Sequence, residues 1–326
     1  MSLSKQSRAL PITIAGLATC IAYNANAQQF PARTVQMIVP YVAGGSIDIM
    51  SRTVAAKLSE IWGRNVVIDN RPGASGMIGT EQVTRAEPDG HVLLGHTSSY
   101  TGTAAVRAKL PFDPARAIIP VGGIGKSALI LVVHPSLPVK TVREFVDLAK
   151  KNPGKLNYGS SGIGGNNHFS GALFDMAAGT KMIHVPYKGI SLAMTAVASG
   201  EVEVVIASAA AVNPQLRAGR VRALGMSGTK PSPLMPGLAS IAQSGVPDYN
   251  YELWWGIFAP AGMSAERVNF INASINKALV SPELKKFLDN ESAEAWIATP
   301  QQLADLLPRE IERYRKIAVA AGIPPQ

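Results

Sequence analysis

Short apolar runs alternate with helical repeats along most of this chain. Val35 to Val39 is a run of β-formers stopped by Pro40. Beyond the paired glycines Gly44 and Gly45, apolar residues recur at Ile47, Met50, Val54, Leu58 and Ile61. That spacing places them on one face of a helix, for which Ser46 or Asp48 is the expected cap. The pattern then repeats. A strand is predicted over residues 65–69, closed by Asn70-Arg71-Pro72-Gly73, then a helix over 77–86 and a strand over 92–95 that runs into the polar cluster His96-Thr97-Ser98-Ser99-Tyr100. Leu129 to Val133 reads as another strand, and Thr141 with Glu144 as a capping box that opens a helix ending at Asn152-Pro153-Gly154. A strand at 156–158 enters the small-residue loop Gly159 to His168, followed by a helix through Phe169, Leu173 and Met176 that Gly179 ends. Strands at 182–185, 202–206 and 222–226, with a helix from Ser191, continue the series.

Residues 228–250 are rich in Pro and Gly and read as surface loop around one short helix, and Tyr251 to Phe258 as a strand that returns the chain to the first unit. The tail is helical: Ser281-Pro282 and Thr299-Pro300 with Gln302 are helix starts, Pro308 is expected to kink or restart the last helix, and Gly322 to end it. Strands alternating with helices imply parallel sheets covered on both faces. Ligands of such sheets gather beyond the carboxyl ends of the strands. Two such units, each with a glycine-rich loop between strand and helix, imply two lobes facing a cleft. At each loop the first-turn N–H groups lack helical partners and the helix dipole is positive, which suits an anion. An ordinary βα corner satisfies the Gly44-Gly45 pattern equally well.

The chain of 326 residues is 47% hydrophobic, ample for a large core. Its formal charge of +9 invites a nucleic-acid reading, but the basic residues form no block or stripe, and none is expected. Lys5 and Arg8, the apolar stretch 9–22 and Ala25-Asn26-Ala27 have the form of a secretory signal spanning 1–27, cleaved after Ala27. The single cysteine, Cys20, falls inside it, so the mature chain is expected to be exported, soluble and free of disulfides and thiolate metal sites.

Catalytic and cofactor motifs fail one by one. Gly125-Lys126-Ser127 has Pro120 where a phosphate-binding loop needs glycine, and Gly162 with Gly164 lack a third glycine at Asn167. Ser161 is followed at the second position by Ile163 rather than glycine, which breaks the nucleophile elbow. An improvised Ser161/His168 pair, making an exported serine hydrolase, remains as the alternative. The five histidines have no metal-ligand spacing, and neither metal nor cofactor is expected. Tyr187 and Lys188 fall at a strand's carboxyl edge, where a ligand contact and a solvated turn are equally compatible. Of Trp254 and Trp255, one is expected to wall the cleft and the other to pack the crossover.

Taken in order, Val39 to Asp48, Asn70 to Gly76, Tyr158 to Gly162, His184 to Gly189, Leu216 to Leu224 and Trp255 to Gly262 resemble the motifs of the Bug/TctC family, the extracytoplasmic receptors of tripartite tricarboxylate transporters. The resemblance spans essentially the whole mature chain. It implies an α/β, two-lobed periplasmic binding protein of type II with two crossover strands, near Val133–Ser136 and Trp254–Phe258. Residues 28–133 and 256–326 would form lobe 1, and 134–255 lobe 2. It also implies a non-enzymatic periplasmic protein that delivers an organic carboxylate to a membrane permease; a monomer is expected, though nothing in the sequence fixes the oligomeric state. One carboxylate would meet Tyr41, Val42, Ala43, Gly44, Gly45 and Ser46 with Asp48 nearby. Thr97 and Ser99 would line the cleft, and the ligand's far end would meet Ser160, Ser161, Gly162, Asn166, His168, Tyr187 and Lys188. Where the family often carries an acidic residue able to meet a ligand amine, this chain has Ala207 to Ala211, and Ser99-Tyr100 also departs from the common pattern. A plain mono- or dicarboxylate, aromatic ones included, is therefore expected rather than an amino acid.

Overall fold

A computed structural model describes residues 30–228, 236–290 and 292–326. The expected signal segment and Cys20 lie outside the described residues. The first half of the chain runs β1 (Val35–Val39), α1 (Ser46–Trp62), β2 (Val66–Asn70), α2 (Met77–Thr84), β3 (Val92–Thr97), α3 (Ser99–Val106), β4 (Ile118–Val133), α4 (Val142–Lys151), β5 (Asn157–Ser160) and α5 (Asn166–Ala178). There follow β6 (Ile183–Pro186), α6 (Ile190–Ser199), β7 (Val204–Ser208), α7 (Ala209–Arg217), β8 (Arg222–Met226), β9 (Glu252–Pro260), α8 (Ala265–Leu279), α9 (Pro282–Asn290), β10 (Glu294–Ala295) and α10 (Pro300–Ala320).

The described strands pair in the order β2-β1-β3-β9-β4-β7-β5-β6, with β8 and β10 also on β4. β2, β1 and β3 are parallel, as are β7, β5 and β6. The sheets are nevertheless mixed, because β9 runs antiparallel to both β3 and β4, and β4 antiparallel to β7 and β8. β4 is the strand that passes between lobes. Its residues 118–128 pair with β9, and residues 129–133 pair with β7 and β8. The change of partner lies N-terminal to the boundary expected after Val133, and β9 pairs with lobe 1 strands over its whole length. Pro120, Gly122, Gly123 and Gly125 interrupt the apolar pattern of β4's first half, and the ladder slips there between Pro120 and Gly122 and again between Gly123 and Gly125. That hides two-thirds of the strand from a reading by periodicity.

Each lobe buries both faces of its sheet. Val35, Met37 and Val39 pack with Val54 and Leu58 of α1, whereas Ile38 turns to Leu94, Tyr100 and Phe258 on the other side. In lobe 2, Leu131, Val133, Val204 and Ile206 face Phe145, Phe169 and Phe174. Ile130, Val132, Val205 and Ala207 face Ala193, Val197 and Val212 of α6 and α7. Strands buried on both faces read as unbroken apolar runs, as these do. Each such Val, Leu or Ile contributes roughly 1.5–3 kcal/mol relative to exposure. α3 and α7 were not anticipated, because Ser99-Tyr100-Thr101-Gly102-Thr103 and Ala209 to Ala211 present no apolar stripe. The last helix runs unbroken through Pro308, so that proline neither ends nor restarts it. Thr299 and Gln302 form the expected capping box.

Candidate functional site

At the end of β1 the chain turns through Gly44, at φ +83°, into Gly45, the extended N-cap of α1. Neither Ser46 nor Asp48 caps the helix in the expected way. Gly45 is the cap and no side chain bonds the first turn. Asp48 reaches back instead, and its Oδ2 accepts the Gly44 amide at 2.9 Å. The same carboxylate pairs with Arg52 at 3.0 Å and accepts from Asn70 Nδ2 at 2.9 Å. Burial works to raise its pKa, but Arg52, the Gly44 amide and Asn70 together hold it below the ordinary carboxylate range. The Gly44 amide, expected to meet a ligand, is thus already engaged. The amides of Gly45, Ser46 and Ile47 have no acceptor among the described residues.

The second loop repeats this geometry. Gly164, at φ +80°, leads into Gly165, whose φ of −78° and ψ of 167° match the −76° and 163° of Gly45. No side chain caps α5. Four residues beyond Gly164, His168 takes the place of Asp48: its Nδ1 accepts the Gly164 amide at 3.1 Å. A neutral His168 therefore carries its proton on Nε2. Its ring stacks on His184 with centroids 3.8 Å apart and planes 10° from parallel, and His184 Nε2 lies 2.6 Å from Ser160 Oγ. Burial pushes the His168 pKa down to about 4. Burial and then the neighbouring His168 push His184 down to about 3, so both rings are neutral near pH 7.

The two loops converge on one pair of strands. Thr97, last in β3, pairs with Trp255 of β9. Trp255 donates its indole N–H to Ser46 Oγ, the first residue of α1, at 3.2 Å. Asn166, the first residue of α5, lies with Nδ2 3.4 Å from Thr97 Oγ1, and its Oδ1 accepts from Ser98 Oγ at 2.9 Å and from the Tyr251 hydroxyl at 3.0 Å. Tyr41 packs edge-on against the buried His96. Burial raises the Tyr41 hydroxyl pKa, against the lowering effect of Ser99 and Thr97 beside it. Two uncapped helix N-termini, one from each lobe, thus address the strand end at Thr97.

The expected site residues divide accordingly. Val42, Ala43 and Gly44 are exposed, Gly45, Ser46 and Ser99 half-buried, and Thr97, Ser160, Asn166 and His168 buried. Ser160 braces its own loop, accepting the Gly162 amide at 3.1 Å. Ser161 is exposed and donates to Asn167 Oδ1, not to His168, so the alternative nucleophile–base pair is not assembled. The Tyr187 hydroxyl donates to Glu201 at 2.8 Å, and Lys188 is exposed. Ala207 is fully buried in the lobe 2 core. Both tryptophans are buried: Trp255 touches the α1 loop, whereas Trp254 donates to Glu310 Oε2 at 3.0 Å. Sequence reasoning missed Ser98, Tyr251, His184 and Glu310 as parts of this network. His184 stands in a motif of the resemblance and Ser98 in the polar cluster after β3, whereas Tyr251 reads as plain strand and Glu310 as one more charge on a helix. Among the described residues no group of three or more His, Asp, Glu or Cys side chains is gathered as a metal site.

The model of the TctC family, "Tripartite tricarboxylate transporter family receptor", matches residues 50–323. The chain belongs to this family. Protein BugT of Bordetella pertussis is 31% identical over 304 residues, covering 93% of each chain. Among solved structures, R. palustris Rpa4515 with adipate is 34% identical with a TM-score of 0.85, covering 91% of this chain and all of that one. MatC (Rpa3494) from Rhodopseudomonas palustris with bound malate is 27% identical with a TM-score of 0.80, covering 88% and 99%. The fold of this Bug/TctC receptor is accordingly that of the two-lobed periplasmic solute-binding proteins.

Proposed function

We propose that this receptor captures a linear organic dicarboxylate between its lobes and delivers it to the membrane permease of a tripartite tricarboxylate transport system. The observation that carries this reading is the matched pair of uncapped N-termini, α1 and α5, tied through Ser46 and Asn166 to the same Thr97–Trp255 strand pair. α1 offers the amides of Gly45, Ser46 and Ile47, and α5 those of Asn166 and Asn167, the Gly165 amide donating to the Gly162 carbonyl at 3.4 Å. With a positive helix end behind each set, a ligand charged at both ends satisfies both lobes at once. Adipate and malate, bound by two similar proteins, are such ligands. Ala207 is sealed in the lobe 2 core, and the half-buried Ser208 that follows it at the end of β7 supplies no carboxylate for a ligand amine, which favours plain acids over amino acids. We take the protein to be exported by its residues 1–27 and to bind without turnover.

A thermal-shift and calorimetric panel of adipate, malate, benzoate, nicotinate, citrate, aspartate and glutamate tests this. Adipate or malate at a hundred times its Kd is expected to add about 2.7 kcal/mol of stability and to be recovered unchanged. Tight binding of aspartate or glutamate, with none of the plain acids, overturns the reading.

A further inference from the structure

Two glycines meet where α3 of lobe 1 comes against the start of α5 of lobe 2. Gly102 lies inside α3, and its amide donates to the Ser98 carbonyl at 3.4 Å. Nothing within α3 requires a glycine there. Its φ lies outside the left-handed region, and alanine is the better residue in a helix interior. What excludes a side chain stands across the lobe boundary. A Cβ on Gly102 would lie 2.8 Å from the Gly164 carbonyl oxygen and 3.0 Å from the Phe169 ring, inside the 3.4 Å at which ordinary contact begins. The fit is reciprocal, since a Cβ on Gly164 would lie 3.0 Å from Val106 Cγ2 and 3.4 Å from Thr103 Cα. The Thr103 hydroxyl stands 3.5 Å from the same carbonyl oxygen.

Of the two sides, α3 is the one that cannot give. Tyr100, Thr101, Thr103 and Ala104 are buried, and the Tyr100 hydroxyl donates to the Pro114 carbonyl at 2.5 Å. Just past the helix, Gln326 pairs with the Val106 carbonyl at 2.8 Å and the Ala108 amide at 3.1 Å. Close-packed groups held from several directions pass a displacement on to their neighbours rather than absorb it. Gly164 lies in a loop with Gly162 and Gly165, directly before the N-cap of α5 and two residues before the free amide of Asn166. A side chain on Gly102 would therefore drive the start of α5 away by about 0.6 Å to restore ordinary contact.

We propose that the contact of Gly102 with Gly164 is the stop that sets how near the α5 N-terminus comes to that of α1, and so which length of diacid spans them. The bonds of Asn166 to Ser98 and Tyr251 draw lobe 2 inward, and the glycine contact limits the approach. Gly102 is thus a positioning residue for specificity that touches no ligand. This rests on the reading that each lobe takes one carboxylate of the ligand.

Calorimetry of the full chain with succinate, glutarate, adipate, pimelate and suberate tests the proposal. The wild type is expected to prefer one length. Gly102→Ala should bind that acid about tenfold more weakly, the scale of one hydrogen bond to a charged group, and lose at most about twofold for the acid one methylene longer. A contact that merely packs the fold would lower Tm and weaken every acid by the same factor. Such a uniform loss, or wild-type affinities throughout, overturns the proposal. Alanine suits a helix and the crowding lies between lobes, so the variant is expected to fold. Should it not, crystals of the wild type with its preferred acid decide: the Gly164 carbonyl is expected to rest against Gly102, and a gap there overturns the proposal. If the wild type binds none of the diacids, the receptor reading falls. Ligand-free crystals of the wild type and Gly102→Ala then still show whether Gly164 withdraws from α3, as expected, and an unmoved Gly164 refutes the stop.

Discussion

Gly45→Val separates the proposed anion loop from the fold that carries it. Gly45 has φ −76° and ψ 163°, extended backbone that valine adopts freely. A Cβ placed there meets only the Val42 carbonyl oxygen, at 3.6 Å, an ordinary contact. The ligand-free fold should therefore lose no more than about 1 kcal/mol, the cost of a branched residue at an N-cap. The branched side chain nevertheless stands at the mouth of the three free amides of Gly45, Ser46 and Ile47, where a carboxylate must come close. Hydrogen bonds to a charged group contribute about 1.5–3 kcal/mol each. Losing two removes about 3–6 kcal/mol, and at 1.4 kcal/mol per decade adipate should bind ~10² to 10⁴ times more weakly. Gly45→Ala, with one methyl, should fall between the two. Calorimetry with adipate measures the affinity, and urea denaturation of the ligand-free protein measures the fold. Adipate affinity within twofold of wild type in a folded Gly45→Val protein would place the carboxylate elsewhere.

Acid should destabilise the protein through the stacked rings of lobe 2. Both pKa values are depressed in the fold, to about 4 for His168 and about 3 for His184, so their contribution is complete above the ordinary histidine value and is lost as pH falls toward those numbers. Each proton taken up on unfolding adds a slope of about 1.4 kcal/mol per pH unit. Denaturation at a series of pH values reads this slope, and His184→Gln should make it shallower; an unchanged slope in that variant contradicts the assignment. At the far end of the chain, Thr299→Ala removes a cap whose hydroxyl accepts the Gln302 amide at 3.2 Å. It should cost about 1 kcal/mol in denaturation while leaving adipate affinity unchanged, and an equal loss in both would tie the start of α10 to the cleft.

Local rules made the strands and most helices legible, because each carries its own punctuation. β1 stops at a proline, α5 stops at Gly179 in the left-handed region, and α4 opens at Thr141, whose hydroxyl accepts the Glu144 amide. The two glycine loops were equally visible. What could not be read was which of their amides stay free. The Gly44 amide is taken by a residue four positions on, in the next helix, and nothing in the spacing separates that carboxylate from a ligand-facing one. Only the last third of β4 is legible, since the glycines of its first part are tolerated by pairing with β9 from the other end of the chain.

The deeper gap concerns how two local motifs become one site. Asp48 and His168 occupy equivalent places, each closing its loop on a glycine amide, so each lobe could be understood alone as an anion corner. Their cooperation depends on Trp255, Ser98 and Tyr251, which reach the loops from β9, the end of β3 and the approach to β9. A tryptophan or tyrosine in an apolar run is indistinguishable in sequence from plain core. Its single polar atom acquires meaning only when the strand is in place and that atom must find a buried partner. If the proposed dicarboxylate reading holds, the polar ends of these buried side chains would set the spacing between the two positive helix ends, and with it the length of acid that fits. Specificity would then be written in residues whose bulk serves the fold.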